Sequence, residues 1–136
     1  MAEWYGTCRS NYFQVKNEEE FLSWIAEYEV EVISKNDDEI TRYGFLSRDE
    51  YGDIPRNTIR LEDGDFEGIS ILDEISTHLA EGETAIIMEV GSEKFRYLTG
   101  LAIAIHHTGD CVEISLDRIY DLAQKKFGEN ITECSW

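Results

Sequence analysis

Residues 84–105 read TAIIMEVGSEKFRYLTGLAIAI, and this stretch decides the fold class. The pattern predicts a buried strand over residues 84–90, a turn at Gly91 and Ser92, and a longer strand over residues 94–105 that bends at Gly100. Strands joined by two- or three-residue turns must be antiparallel. The stretch therefore predicts an antiparallel sheet.

Further strands are predicted on either side of this hairpin. They cover residues 10–16, 29–33, 40–46 and 111–115, with turns at 36–38 and 108–110 and a short candidate strand at 58–61. In the strand 29–33 the alternation points Glu29 and Glu31 outward, about 6.6 Å apart on one face. Residues 47–69 otherwise have the least regular pattern of the chain.

Three helices are predicted from capping residues and apolar periodicity. Asn17 caps the first helix, in which Glu18, Glu19 and Glu20 meet the positive end of the helix dipole. Its apolar face consists of Phe21, Leu22, Trp24, Ile25 and Tyr28. A second helix runs from the cap Ser70 to Gly82, and a third from the cap Ser115 to Gly128.

These elements indicate an α+β fold in which about three helices pack mainly on one face of an antiparallel sheet. The order helix, strand, strand occurs at residues 17–46 and again at 70–105, which predicts two similar α-β-β halves. A length of 136 residues suits one compact domain, 1–136.

The composition excludes several classes of partner. The chain has 29 acidic and 12 basic residues, a net charge of −17, and 42% hydrophobic residues, which is enough for a packed core. Direct contact with nucleic acid and attachment to anionic membranes both need clustered Lys and Arg, so we expect neither. No apolar run approaches the roughly 18 residues of a membrane-spanning helix.

The cysteines and the N-terminal residues indicate a cytoplasmic protein. Cys8, Cys111 and Cys134 are odd in number and lack CxxC spacing, so we expect reduced thiols that act as small apolar side chains. The first five residues lack the basic start and apolar stretch of a signal peptide.

The acidic residues are concentrated in one part of the chain. Residues 17–67 carry a net charge of −11. Ordered carboxylates resemble a phosphate backbone, so they suit a cleft rich in Lys and Arg. The alternative is a solvated acidic surface with no partner. The candidate partner-binding residues are Glu27, Glu29, Glu31, Asp37, Asp38, Glu39, Asp63, Asp65 and Glu67.

Other patterns that could carry chemistry are weaker. Asp63, Asp65, Glu67, Gly68 and Glu74 match part of a calcium-loop pattern, but Pro55 opposes an entering helix and Ser70 is a cap inside the loop. His106 and His107 are adjacent in a strand, so we expect them to point apart, and His78 lies on the second helix. We expect no catalytic residues, no metal site and no cofactor.

Three segments carry a resemblance to a known group of proteins. They read TCRSNYFQVK at residues 7–16, MEVGSEKFRYLTG at 88–100 and LDRIY at 116–120. These segments resemble small acidic proteins of bacterial plasmids and other mobile elements. Such elements often encode inhibitors of restriction or CRISPR systems, some of which imitate DNA. The resemblance implies an anti-defence role and assigns no functional residue.

The leading hypothesis is a non-enzymatic inhibitor that occupies the nucleic-acid-binding site of a basic nuclease or CRISPR subunit. Phe66 or Tyr51 would anchor the contact. The alternative is a homo-oligomeric α+β module that binds a small ligand in a concave sheet face, or serves a structural purpose. A calcium-stabilised domain is the third hypothesis.

Overall fold

The computed structural model describes residues 4–48, 52–60, 66–94, 96–128 and 130–134, and for residues 56–60 and 66–69 it describes the backbone alone. Six strands form one antiparallel sheet in the order β2-β3-β1-β6-β7-β8. These strands are β1 (Trp4–Ser10), β2 (Val30–Asp37), β3 (Ile40–Ser47), β6 (Thr84–Glu93), β7 (Tyr97–His106) and β8 (Cys111–Ser115). The predicted antiparallel α+β fold is confirmed.

Two further strands, β4 (Arg56–Arg60) and β5 (Phe66–Ser70), pair with each other as a separate antiparallel ribbon. They lie in the segment whose sequence pattern predicted little regular structure beyond a short strand at 58–61. The ribbon leads directly into the second helix, because Ser70 is both the last residue of β5 and a helix cap.

Helix α1 (Glu18–Ile25) forms as its sequence predicts. The Glu20 N–H donates to Asn17 Oδ1 over 2.9 Å, and the three glutamates occupy the first turn. Phe21 and Ile25 are fully buried, and Tyr28 follows them into the core. Leu22, predicted on the same face, is exposed.

Helix α2 is shorter than predicted. It spans Ile71–Glu74 and continues as a 3₁₀ turn over Ile75–His78, instead of one helix that reaches Gly82. The cap at Ser70 is confirmed, with Asp73 completing a capping box. The helix stops because Leu79 adopts extended backbone and forms an antiparallel bridge with Val15.

The core lies between the sheet and these two helices. We call the face of the sheet that they cover the inner face. The buried residues of the core are Cys8, Phe13, Phe21, Ile25, Tyr28, Phe45, Ile71, Ile75, Leu79, Ala85, Ile87, Ile103 and Ile105. Cys8 is therefore the small apolar core residue that the sequence predicts, whereas Cys111 and Cys134 are exposed.

We call the opposite face of β1, β6, β7 and β8 the outer face. Strand alternation assigns to it the residues Tyr5, Thr7, Arg9, Thr84, Ile86, Met88, Val90, Ser92, Leu98, Gly100, Ala102, Ala104, His106, Val112 and Ile114. These fifteen positions, all in strands that the structure describes in full, include no Asp or Glu. Several of their large apolar side chains are exposed.

Two predicted strand boundaries are wrong for the same reason. The opening strand is Trp4–Ser10 rather than residues 10–16, and Gly91 and Ser92 pair inside β6 rather than forming a turn. In both places small residues occupy the inner face: a Cβ on Gly91 would lie 2.4 Å from the Trp4 ring. Small residues indicate turns in a sequence, but at Gly91 the missing side chain makes room for the Trp4 ring.

Helix α3 (Arg118–Phe127) ends at Gly128 as predicted but begins differently. Ser115 belongs to β8, and Asp117 occupies the N-cap position without a side-chain hydrogen bond. No described residue of α3 is buried. The prediction of helices mainly on one face thus holds for α1 and α2, while α3 adds nothing to the core.

Among the described residues, no helix is long and apolar enough to cross a membrane. The hypothesis of two similar α-β-β halves stays a prediction.

Candidate functional site

The predicted acidic residues around β2 form two groups, one at each end of the strand. They are Glu27, Glu29 and Glu31 at its start, and Asp37, Asp38 and Glu39 at its end. All six are exposed. The six-residue step from Glu31 to Asp37 separates the groups by about 20 Å at about 3.3 Å per residue.

The two groups do not make a continuous row of carboxylates. Lys35 lies between them on the same side of β2 as Glu31, and it pairs with Arg42 of β3. Glu31 lies 3.9 Å from the Arg48 guanidinium. Glu29, predicted in the strand, precedes it, and its carbonyl accepts from the Arg48 N–H over 2.9 Å.

The group at the end of β2 occupies a tight turn. Asp37 pairs with Ile40, so Asp38 and Glu39 alone connect the two strands. Both have positive φ, 46° and 70°, as a type I′ turn requires. Asp, Asn and Gly favour this backbone, so Asp38 suits its position and Glu39 does not. The turn therefore holds one carboxylate, that of Glu39, where the local conformation favours Gly.

Asp63 and Asp65 lie outside the described residues, as does the proposed anchor Tyr51. Glu67 and Phe66 lie in β5, where the backbone alone is described.

The described part of the predicted calcium loop has another structure. Residues 66–70 form a strand paired with β4, and Ser70 caps α2. The Glu74 carboxylate accepts a hydrogen bond from Trp24 Nε1 over 2.9 Å. An EF-hand loop wraps around its ion and ends in a bidentate Glu, so this strand and this hydrogen bond contradict that interpretation.

A shallow depression, which could not be predicted from the sequence, lies beside α1. It has a volume of about 540 Å³ and is lined by Glu19, Glu20, Ser23, Trp24, Glu27 and His78. Glu19 and Glu20 lie in the first turn of α1 and Glu27 follows its end, whereas His78 comes from the 3₁₀ turn. We call this the α1 depression.

Two stacked rings form the floor of the α1 depression. The Trp24 and His78 rings lie 4.3 Å apart with an interplanar angle of 23°. Trp24 also meets the Tyr28 ring edge-on at 5.2 Å, and its indole N–H donates to Glu74. Trp24 is therefore held by the core residue Tyr28 on one side and by the partly exposed Glu74 on another.

The surroundings of His78 disfavour its charged form. Burial lowers the pKa of the His78 imidazole below its ordinary value of 6.5, and Lys16 adds to this effect. The carboxylates of Glu74 and Glu20 oppose it. Because its pKa is lowered, the His78 ring is neutral at pH 7. It therefore does not offset the negative charge of Glu19, Glu20 and Glu27 around it.

Carboxylates around aromatic faces are suited to bind a cation. A guanidinium stacks on an indole face, and its N–H groups donate to carboxylates in a fixed fork. The sequence predicted Glu27 as a partner-binding residue but missed Trp24 and His78. They lie 54 positions apart, and Trp24 has the spacing of an ordinary core residue.

The remaining reactive side chains are placed apart from the α1 depression. Cys8 is buried on the inner face, and burial, followed by Glu89 and Asp53, raises the pKa of its thiol to about 12. The rings of His106 and His107 lie 4.4 Å apart, contrary to the prediction that they diverge, because β7 ends at His106. His107 Nδ1 accepts from the Gly82 N–H over 3.0 Å.

Within the described residues, no group of three or more His, Cys, Asp or Glu side chains is placed to hold a metal ion. No family model, curated protein or solved structure matches the chain.

Proposed function

We propose that this protein is a non-enzymatic binding protein whose acidic side occupies a basic nucleic-acid-binding surface of a partner, such as a nuclease or CRISPR subunit of a bacterial defence system. The observation that carries the proposal is the α1 depression, in which Glu19, Glu20 and Glu27 surround the stacked Trp24 and His78 rings. An Arg of the partner would stack on this floor and donate to the rim.

The acidic turn at Asp38 and Glu39 supports a second point of contact. Both residues of the turn are exposed, and the positive φ of Glu39 brings no local benefit to a Glu. The contact would be electrostatic, so it would weaken as salt screens the charges. Nucleic acid would compete for it, because both ligands need the same Lys and Arg residues.

Affinity capture from a bacterial lysate tests the proposal. The immobilised protein is loaded at low salt and eluted with duplex DNA, with single-stranded RNA, or with raised salt. We expect a nucleic-acid-binding protein that nucleic acid displaces. Recovery of proteins that salt and nucleic acid leave in place would contradict the proposed mechanism.

Charge reversal then locates the contact. The variant Glu20→Lys/Glu27→Lys should lose the captured protein, and so should a triple variant that adds Glu39→Lys. The matched control is Asp110→Lys/Glu113→Lys, which changes the net charge equally on exposed residues in and beside β8. Equal loss in both double variants would mean that total charge, and not the α1 depression, determines binding. Circular dichroism spectra verify that each variant is folded.

The runner-up function is a homo-oligomeric module that binds a small ligand or has a structural role. One observation favours it: a mostly apolar depression of about 650 Å³ is lined by Leu98 of β7, Tyr120 of α3 and Leu116, which lies between β8 and α3. Ligand binding there would be nearly indifferent to salt, unlike docking on a basic surface. Capture at low and high salt therefore separates the two functions.

A further inference from the structure

We propose that the outer face of the sheet, together with the apolar side of α3, is an interface between two copies of this chain. The inference goes beyond the proposed function, because it concerns the face of the sheet opposite to α1. It starts from the exposure of the outer face: Met88 is 55% exposed, Val90 51%, Leu98 54%, Val112 73% and Ile114 60%. Solvated faces of antiparallel sheets carry polar side chains at such positions.

The absence of acidic residues from the described positions of the outer face also supports an interface there. The chain has 29 acidic residues, yet none occupies the fifteen outer-face positions. The acids of β6 and β8, namely Glu89, Glu93 and Glu113, all alternate to the inner side. A surface selected only for solubility in so acidic a protein would carry some of them. The outer face is where two chains of net charge −17 could approach with the least repulsion.

The apolar side of α3 continues this face. Tyr5, Val90, Leu98 and Leu116 line one depression of about 470 Å³. Leu98 and Leu116 also line the next depression, together with Ile119 of α3. Leu122 and Phe127 extend the exposed apolar side of the helix. The two depressions therefore meet at Leu98 and Leu116, through which the apolar surface continues from the sheet to α3.

The charges of α3 indicate that the occupant is a second copy. Its N-terminal end carries Asp117, Arg118 and Asp121, a net charge of −1, and its last turn carries Lys125 and Lys126. When two such helices pack antiparallel about a two-fold axis, the acidic end of each meets the basic end of the other. A two-fold contact between two copies satisfies both ends at once.

The first test is the molar mass of the full chain in solution, measured by sedimentation equilibrium over a wide range of concentration. We expect a species of twice 15.7 kDa. Salt should strengthen this dimer, because it screens the repulsion between two strongly negative chains, whereas it should weaken docking on a basic partner. A chain that stays monomeric at every concentration and salt would overturn the proposal, with no bearing on the α1 depression.

Substitutions on the outer face locate the interface. Val90→Lys/Leu98→Lys should raise the dimer dissociation constant by about tenfold or more, because it places charge in an apolar contact. The control Leu22→Lys/Ile40→Lys changes two exposed apolar residues elsewhere and should leave the dimer intact. Both positions of the first variant are already half exposed, and circular dichroism verifies the fold. A dimer unaffected by Val90→Lys/Leu98→Lys would overturn the assignment of the face.

A charge swap on α3 tests the antiparallel arrangement. Asp117→Lys/Asp121→Lys makes both ends of the helix basic, and Lys125→Asp/Lys126→Asp makes both ends acidic. The variant Lys125→Asp/Lys126→Asp alone should dimerise more weakly than the wild type. An equimolar mixture of the two variants should form a heterodimer, because opposite charges then face each other at both ends. Failure of the mixture to associate would overturn the antiparallel pairing of α3. The wild type could instead be monomeric and capture another protein that the variant Val90→Lys/Leu98→Lys no longer captures. That result would show that the outer face binds a different protein and not a second copy of this chain.

Discussion

The indole ring of Trp24 stacks on the imidazole ring of His78, with centroids 4.3 Å apart, although α1 carries one and a 3₁₀ turn the other. Trp24 also donates its indole N–H to the Glu74 carboxylate. These contacts join the first helix to the second and form the floor of the α1 depression.

We predict that Trp24→Ala destabilises the protein by about 1–3 kcal/mol. The change removes part of a packed ring and leaves Glu74 without its donor. Trp24→Phe keeps a ring over His78 and loses only the hydrogen bond, so its cost should be about 1 kcal/mol. Urea denaturation measures both values. An equal loss in the two variants would mean that the stack contributes nothing.

His78 should make stability depend on pH. Burial lowers the pKa of its imidazole in the folded state below 6.5, so between the two pKa values the unfolded chain binds more protons. The contribution of His78 is therefore fully present above pH 6.5 and is lost as the pH falls through the folded-state pKa. Denaturation at pH 7.5, 6.5 and 5.5 should show a steeper loss in the wild type than in His78→Gln. Parallel curves would refute this linkage.

The three cysteines should differ in reactivity. Cys8 is buried and its pKa is raised to about 12, so almost none of it is thiolate at pH 8. Cys111 and Cys134 are exposed. Iodoacetamide at pH 8 should modify these two in the folded protein and all three in denaturant, as mass spectrometry of the digested chain would show. Rapid labelling of native Cys8 would contradict its place in the core.

The Ser10 hydroxyl should matter for stability despite its size. It is buried, accepts from the Phe45 N–H over 2.9 Å and donates to the Asn11 carbonyl over 2.8 Å. Ser10→Ala leaves the Phe45 N–H in the core without this acceptor, at a cost of about 1–3 kcal/mol. Ser23→Ala, on the exposed side of α1, is the control and should change the free energy of unfolding little. Thermal and urea denaturation compare the two.

Substitutions in the turn at Asp38 and Glu39 should raise the stability of the protein and weaken its binding to a basic partner. Glu39→Gly supplies the residue that a type I′ turn favours, and Asp38→Asn keeps a favoured residue without its charge, so we expect the double variant to gain about 1 kcal/mol. If the turn contacts a basic partner, the same variant should elute from it at lower salt. Asp38→Ala/Glu39→Ala removes the same charges without the turn preference, so it separates the effect on binding from the effect on stability.

Several local features could be predicted from the sequence because their causes lie within a few residues. Asn17 and Ser70 cap helices, Gly128 ends one, and residues 111–115 form a strand. Each follows from capping chemistry, backbone conformation or alternation. The first strand was missed because Gly6, Cys8 and Ser10 line its inner face, and small residues do not give the alternation of large apolar ones.

The amino-acid sequence alone also determined how much charge the protein carries, but not how that charge is arranged in space. The sequence places Lys35 between the two acidic groups of β2, but only the tertiary structure decided that Arg42 lies beside it, since β2 and β3 pair at these two residues. It likewise brought Trp24, Glu74 and His78 together from distant segments. The physical reason is that local hydrogen bonding and backbone preference act over neighbouring residues, whereas strand order and helix packing follow from burying apolar surface across the whole chain.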